Sequence, residues 1–326
     1  MNELVSNWQS GCSRSAIKAR AELYALIRAF FLQRDVLEVE TPLLSRSSAS
    51  DPHLESVTAP VRYQVGGEAH LCYLHTSPEF PMKRLLASGS GAIYQICKTF
   101  RNGETGPRHN PEFSMLEWYR PGFQLSDLMQ EVEALMALVL GLGEIQVLSY
   151  RNAFLKYLNL DPFNISLEVL AACARNTAAY QGPALDRDGY LNLLLSVGVE
   201  PHLGREQAVF LTEYPASQAS LAKIVTSDSG HAVAQRFELY LHGIELANGY
   251  LELTDAEEQR KRFEQDNFVR QTLQLPEIPP DEYLLSALQH GLPECSGVAL
   301  GLDRLLMIKL GVSSISEVLA FPIDRA

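Results

Sequence analysis

Two segments with strand-like alternation, residues 92–101 and 112–120, constrain the fold more than any other feature of this sequence. A polar, glycine-containing loop joins them, and consecutive strands joined by a short loop pair antiparallel. Similar strand patterns return in AVFLTEYP, RFELYLHGIELANGYLEL and CSGVALG. Segments with helical spacing precede and separate them, at residues 16–31, 77–88, 126–141 and 255–273. This order predicts an α+β fold in which helices flank an antiparallel sheet.

The charge balance argues against a protein that holds nucleic acid through a broad basic surface. The 326 residues carry 27 Lys and Arg against 39 Asp and Glu, a net charge of −12. The five cysteines are widely spaced, which is typical of reduced thiols in a cytoplasm. The longest uncharged apolar run, residues 134–143, is too short to span a bilayer, and the N-terminus lacks the apolar core of a secretory signal. These features predict a cytoplasmic protein that does not enter a membrane.

The hairpin at residues 92–120 carries side chains suited to two kinds of charged ligand. Strand alternation places Glu117 and Tyr119 on one face, where a carboxylate and a phenol can grip an ammonium group. Arg101, Arg108 and His109 crowd around the loop and suit a triphosphate. The alternative for this segment alone is an ordinary hairpin with surface ion pairs.

A second pair of carboxylates lies in the segment IELANGYLEL. Glu245 and Glu252 are an odd number of residues apart, so a straight strand would place them on opposite faces. Asn248-Gly249 is a turn or bulge signal, and one extra residue there would reverse the alternation. Both carboxylates would then face one side and share a divalent ion together with phosphate. The alternative is two exposed strand carboxylates.

The segment SGVALGLDR combines a face of small residues with an arginine. Alternation places Gly297, Ala299 and Gly301 on one face, which permits close approach by a ligand or another backbone. Arg304 follows in a predicted helix, where its guanidinium can lie beside that face. Tight packing of the sheet is the alternative.

Together these segments resemble the catalytic core of class II aminoacyl-tRNA synthetases, most closely the lysine-specific branch. VLEVETPLL is similar to the proline-containing dimer motif, TFRNGETGPRHNPEFSMLEWY to the second motif and SGVALGLDR to the third. TSPE and ELANGYLEL are similar to lysine-branch segments that lie between those motifs. The resemblance runs from about residue 16 to the C-terminus and implies an ATP-dependent, adenylate-forming homodimer.

The resemblance also implies a role for each matched residue. Arg101 would contact the ATP α-phosphate, Phe113 would stack on adenine, and Arg304 would lie near the γ-phosphate. The other implied nucleotide-binding residues are Asn102, Gly103, His109, Asn110, Glu245, Leu246 and Gly301. Glu245 and Glu252 would hold Mg²⁺. The implied substrate-binding residues are Ser77, Pro78, Glu79, Glu117, Tyr119, Glu252 and Ala299.

Within the substrate set, the resemblance assigns one carboxylate to each amine. Glu79 would take the backbone-side amine of a lysine-like substrate, and Glu117 with Tyr119 would take its ε-ammonium. One residue departs from the family pattern, since Gly103 stands where a glutamate is usual and Glu104 follows it. A shifted Glu104 would then supply the adenine-amino contact.

The elements around this core favour one branch of the family. A lysyl-tRNA synthetase carries an anticodon-binding barrel before the core, whereas we expect only an N-terminal arm at residues 1–15 and one catalytic domain at 16–326. PASQASLAK and the terminal FPIDRA are similar to the elongation factor P–(R)-β-lysine ligase family. That resemblance implies ATP-dependent activation of (R)-β-lysine or lysine and transfer to elongation factor P, without tRNA. The alternatives are a truncated lysyl-tRNA synthetase-like enzyme that charges tRNA and a non-catalytic synthetase-like regulator.

Overall fold

The computed structural model describes residues 8–326. Its helices are α1 Arg14–Leu32, α2 Glu79–Ala87, α3 Leu125–Leu140, α4 Tyr150–Leu158, α5 Leu167–Thr177, α6 Arg187–Leu194, α7 Ala256–Thr272, α8 Glu282–Gly291 and α9 Leu302–Leu310. Its strands are β1 Leu37–Glu38, β2 Leu44–Ser45, β3 Thr58–Arg62, β4 Ala69–Leu74, β5 Ile93–Phe100, β6 Glu112–Pro121, β7 Gln146–Ser149, β8 Val209–Pro215, β9 Ile224–Thr226, β10 Ala232–Leu241, β11 Ile244–Leu251 and β12 Cys295–Gly301. None of the helices within this described range combines the length and apolar character needed to cross a bilayer.

The chain divides into two compact units. The first comprises the chain up to Gly122 together with Thr254–Cys295 and Ala299–Ala326. The second comprises Phe123–Leu253 and Ser296–Val298. Helices and mainly antiparallel strands occur in both, which confirms the α+β prediction.

Helix α1 of the first unit follows its sequence pattern. The Ser13 hydroxyl accepts a hydrogen bond from the Ala16 amide at 3.1 Å, so the helix is capped and begins at Arg14. Its apolar side is buried, and the Phe31 ring stacks on Tyr94 of β5 at a centroid distance of 4.4 Å. The helix thus begins two residues before the predicted start of the catalytic domain at residue 16, and residues 1–7 of the predicted arm lie outside the described part of the chain.

The hairpin predicted from the sequence forms in the first unit. Strands β5 and β6 pair antiparallel, and their register places Gln95 opposite Glu117 and Ile93 opposite Tyr119. Strand β1 pairs with β5 in parallel, which is a departure from a purely antiparallel sheet. The long connection between β1 and β5 makes this possible, because a parallel pair needs a crossover. Strands β2, β4 and β3 form a separate antiparallel sheet.

The second unit is built around strands β7 to β11. Strand β10 pairs antiparallel with β8, β9 and β11, and β7 pairs in parallel with β8. Helices α4, α5 and α6 occupy the connection between β7 and β8, so they form the crossover of this second parallel pair. The sequence pattern over residues 150–210 did not predict that arrangement. These helices pack their apolar sides into a core that includes Phe154, Leu170 and Leu194.

A β-bulge in β11 lies at a different residue from the one predicted. Leu239 pairs with Ala247 and Tyr240 pairs with Glu245, so Leu246 is the extra residue. Across Asn248 and Gly249 the pairing with β10 stays regular, and the expectation of a turn or bulge there is wrong.

Gly249 serves a different purpose from a turn. It pairs with Phe237, whose ring lies so close that a Cβ added to Gly249 would be 2.5 Å from the ring carbon Cζ. Glycine is therefore required by close packing of the ring on the strand, whereas the bulge is set by the cross-strand register.

Candidate active site

The segment before helix α2 connects two of the predicted substrate-binding carboxylates. The Ser77 hydroxyl accepts a hydrogen bond from the Glu79 amide at 3.1 Å and donates one to Glu117 Oε2 at 2.7 Å. Pro78 lies between Ser77 and Glu79 in the chain and directly precedes the helix. Ser77 thus satisfies an otherwise unpaired amide of the helix start and orients Glu117 at the same time.

Glu117 is a buried carboxylate that is held by hydroxyl groups. Its side chain belongs to a residue only 2% exposed, and its Oε1 accepts a hydrogen bond from Tyr119 Oη at 2.7 Å. Hydroxyl donors orient a carboxylate without cancelling its charge, whereas an ammonium does both. The arrangement therefore suits an incoming ammonium group.

Glu79 begins helix α2 and has a charged partner within the same helix. The Lys83 ammonium lies 2.6 Å from Glu79 Oε1, and the Lys83 side chain is 2% exposed. Lys83 was not among the residues predicted from the sequence. Spacing of one helical turn from Glu79 was the available signal, but only burial distinguishes this pair from a surface ion pair.

Arg101 follows strand β5 and is suited to an anion. Its Nε is buried and, among the described residues, has no hydrogen-bond partner. Its guanidinium carbon lies 5.1 Å from the centroid of the Phe113 ring, and Nη1 lies 3.9 Å from Glu104 Oε1. A buried N–H group without a partner is costly unless a ligand supplies the acceptor, and a phosphate oxygen does so.

The loop after Arg101 explains the departure from the family pattern. Gly103 has a φ of +75°, a left-handed conformation that a glutamate side chain disfavours. Asn102 is tied to Glu55, because its Nδ2 donates to Glu55 Oε1 at 2.7 Å. Glu104 is the carboxylate of this loop that lies beside Arg101.

His109 and Arg304 form a direct contact. Arg304 Nη2 lies 2.7 Å from His109 Nε2, and Arg304 Nε donates to the Arg108 carbonyl at 3.3 Å. Burial lowers the pKa of His109, and the Arg304 charge lowers it further, so the neutral imidazole accepts from the guanidinium. The next residue, Asn110, is engaged structurally, since its Oδ1 accepts from the Ile323 amide at 3.0 Å. This bond ties the C-terminal segment to the loop.

Strand β12 leads through Ala299 and Gly301 into helix α9, where a buried aspartate fixes the start of the helix. Asp303 Oδ2 accepts from the Ser114 amide at 2.6 Å, and Oδ1 accepts from Arg20 at 2.5 Å. Because Asp303 precedes Arg304, these bonds hold the backbone that carries the guanidinium. Asp303 was not predicted from the sequence, because Arg20 and Ser114, which donate to it, lie far away in the chain.

The second unit places the other predicted carboxylates on one strand face. Side chains of directly paired residues point to the same face of a sheet, so Glu245 lies on the face of Tyr240. The bulge at Leu246 shifts the alternation by one residue and brings Asn248 and Tyr250 to that face as well. Glu252 continues this alternation and is 2% exposed. The structure thus contains one extra residue in this strand, as expected, but at Leu246 and not at Asn248-Gly249.

A buried ionic network on β10 lies on the same face. Arg236 Nη2 donates to Glu238 at 2.5 Å, and Arg236 Nε donates to Asn248 Oδ1 at 3.2 Å. Glu238 also accepts from the phenols of Tyr214 and Tyr240. Burial and the Glu238 charge raise the pKa of both phenols well above 10, so they remain donors. Alternation in RFELY was the available signal in the sequence, since it places Arg236, Glu238 and Tyr240 on one strand face.

The carboxylates fit a metal ion only in company with another ligand. Within residues 8–326, no group of three or more His, Cys, Asp and Glu side chains could hold a metal by itself. Glu245 and Glu252 supply two carboxylates on one face of the strand. Carboxylate oxygens are ligands that Mg²⁺ accepts, and this ion usually keeps several waters and takes further ligands from substrate phosphates.

Comparison with known proteins establishes the family of the chain. The family described as tRNA synthetases class II (D, K and N) matches residues 5–325. An elongation factor P–(R)-β-lysine ligase of Pectobacterium carotovorum is 48% identical over the whole of both chains. The ligases of that name from Yersinia enterocolitica and Proteus mirabilis are each 50% identical and cover at least 99% of both chains. The chain belongs to the elongation factor P–(R)-β-lysine ligase family, within the class II synthetases.

This membership covers both units. The matched residues 5–325 include every predicted site residue, from Ser77 in the first unit to Glu252 in the second and Arg304 in the last segment. Both units of the chain therefore lie within the matched range.

Proposed function

We propose that this chain activates (R)-β-lysine with ATP and transfers it to a lysine side chain of elongation factor P. Support comes from end-to-end identity of about half with relatives that carry this activity in their names. The structural observation that carries the proposal is Glu117, a buried carboxylate oriented by two hydroxyl groups, which suits the ammonium of a lysine-like substrate.

ATP binding is proposed for the arginines of the first unit. The buried Nε of Arg101 calls for an acceptor, which the α-phosphate would provide, and Phe113 lies beside the guanidinium to stack on adenine. Arg304, aligned by neutral His109, would take the terminal phosphates. We propose that Asn102, Gly103, Asn110 and Gly301 also contact the nucleotide, and we assign the adenine-amino contact to Glu104.

The amino acid would be held by its two amines. Glu117 with Tyr119 would bind the ε-ammonium, and Glu79 would bind the amine nearer the carboxylate. From the second unit we propose Glu245 and Glu252 as Mg²⁺ ligands, with Leu246 setting their alignment. Mg²⁺ bound with the ATP phosphates would neutralise charge that develops as pyrophosphate leaves.

The reaction would proceed in two transfers. The substrate carboxylate attacks the α-phosphorus, its P–O bond forms as the bond to pyrophosphate breaks, and an acyl-adenylate results. The neutral ε-amine of the acceptor lysine then attacks the acyl carbon, the amide forms, and AMP leaves with the proton lost to solvent. Positioning and charge neutralisation by Arg101 and Arg304 would provide most of the acceleration.

The decisive experiment asks which macromolecule becomes labelled. The protein is incubated with ATP, Mg²⁺, labelled lysine or (R)-β-lysine, and either elongation factor P or tRNA. We expect label on elongation factor P, with (R)-β-lysine preferred. Label on tRNA would establish the truncated synthetase instead, and no adenylate formation would indicate a regulator.

A second measurement tests the residues. Pyrophosphate exchange that depends on the amino acid should require Mg²⁺ and fall by about 10²–10³-fold in Arg101→Ala, because the guanidinium stabilises charge at the α-phosphate. Glu245→Ala should lose exchange as well. Wild-type exchange in both variants would contradict the site assignment.

We further propose that the protein is a cytoplasmic homodimer. Helix α1 and strand β1 expose Ile17, Leu32 and Leu37, which are 47%, 79% and 59% accessible. An apolar surface on the predicted dimer motif supports a two-fold interface. All five cysteines are free thiols, which supports a reducing compartment.

A further inference from the structure

Lys83 is a buried lysine at a place where ordinary packing would favour an apolar side chain. Its neighbours on α2, Met82 and Leu86, are 0% and 2% exposed, and Lys83 itself is 2% exposed. Burying an ammonium is costly unless a charge is paired with it. Its Nζ lies 2.6 Å from Glu79 Oε1, a short charge-assisted contact. The Lys83 ammonium is therefore paired with the Glu79 carboxylate inside the protein and is not a surface charge.

The contact matters because Glu79 stands at the first residue of the helix. Ser77 fixes the Glu79 backbone by accepting its amide hydrogen, but that bond leaves the carboxylate free to choose among rotamers. The Lys83 ammonium contacts Oε1, whereas Oε2 accepts no hydrogen bond from another residue that the structure describes. A carboxylate held through one oxygen presents the other in a fixed direction, which reduces the ordering cost of binding an ammonium.

We propose that Lys83 is a positioning residue that orients Glu79 toward the substrate amine nearer the carboxylate. This inference rests on the proposed function, in which Glu79 binds that amine. Ser77, which accepts from the Glu79 amide, also donates to Glu117. Lys83 is therefore at one end of a hydrogen-bonded chain of residues whose other end is Glu117, the proposed ligand of the ε-ammonium. Lys83 thereby affects recognition of the amino acid without touching it.

The test is Lys83→Met, which removes the charge and keeps a side chain of similar length. We expect the KM for (R)-β-lysine in pyrophosphate exchange to rise at least tenfold, while the KM for ATP and kcat stay within threefold. The comparison ligand is 6-aminohexanoate, which lacks the amine assigned to Glu79 and is measured as a competitive inhibitor. Its inhibition constant should change by less than threefold. An equal rise for both ligands would overturn the inference, because a merely structural role affects both.

Two further variants serve as references. Lys83→Arg keeps the charge, so the KM for (R)-β-lysine should stay within about threefold of the wild-type value. Lys18→Met removes a lysine from another pair of the same spacing, with Glu22 on α1, whose side chains are 77% and 63% exposed. It should leave every constant unchanged. If Lys83→Met does not fold, Lys83→Gln replaces it, with the same expected ratio between the two ligands.

Glu79→Gln separates failure of this inference from failure of the proposed function. If Lys83 acts through Glu79, Lys83→Met should raise the KM by less than twofold in the Glu79→Gln background. A full additional rise there would overturn the positioning role. If Glu79→Gln itself leaves the KM unchanged, the assignment of Glu79 fails, and the proposed positioning role fails with it. If Glu79→Gln raises the KM and Lys83→Met does not, only the role of Lys83 fails.

Discussion

Replacing Gly249 by alanine tests whether close packing of a ring on β11 shapes the carboxylate face. The added Cβ would lie 2.5 Å and 2.6 Å from two ring carbons of Phe237 and 3.1 Å from Cβ of Val298. Carbon atoms in contact lie about 3.5–4.0 Å apart, so the ring or the strand would have to move by about 1 Å. The ring has little room, because Phe237 is 0% exposed and packs edge-on against Phe210.

Overpacking of this kind costs about 1–3 kcal/mol of unfolding free energy. We expect Gly249→Ala to lose that amount in urea denaturation. Pyrophosphate exchange should fall as well, because the neighbours Asn248 and Tyr250 lie on the carboxylate face. Gly143→Ala is the matched control in the same unit, since nothing lies within 4 Å of its added Cβ and its φ is not left-handed. It should stay within about 0.5 kcal/mol of wild type.

A second substitution distinguishes ring contact from a general effect on the strand. In the Gly249→Ala background, Phe237→Leu removes the clashing ring carbons and should cost less stability than it does in the wild-type background. A Gly249→Ala protein within 0.5 kcal/mol of wild type, or fully additive effects in the double variant, would refute the packing argument.

Three other predictions follow from the structure. Ala299→Gly should raise kcat/KM for lysine relative to (R)-β-lysine by up to about 10- to 200-fold, since one methyl in a pocket is worth that much, and an unchanged ratio would exclude it as the selector. Leu37→Asp should place a charge on the proposed interface and give a monomeric mass in light scattering, whereas a dimer would argue for another interface. Burial lowers the pKa of His75 below 6.5 in the folded protein. As pH falls below 6.5 the unfolded chain therefore binds more protons than the folded protein, and the free energy of unfolding decreases. Below pH 6.5, His75→Gln should reduce the slope of unfolding free energy against pH by up to about 1.4 kcal/mol per pH unit. A slope identical to that of the wild type would contradict a lowered pKa of His75.

The sequence determined the local elements and the types of residue that carry the chemistry. Alternation fixed the β5–β6 hairpin and the shared face of Glu117 and Tyr119, because side-chain direction in a strand depends on local spacing alone. The sequence motifs also predicted the family, which the identity with its members over the full length of the chain then established. The roles of individual site residues remain predictions.

Only the tertiary structure decided register, burial and pairing. Asn248-Gly249 has the composition of a turn, but the bulge formed at Leu246, because register depends on how β10 and β11 align over their whole length. Lys83 looks like a surface helix residue in the sequence, and its burial depends on packing of α2 against other elements. The unpaired Nε of Arg101 is likewise a consequence of which acceptors the fold places near it. Periodicity is a property of neighbours in the chain, whereas register and desolvation are set by residues far away in sequence.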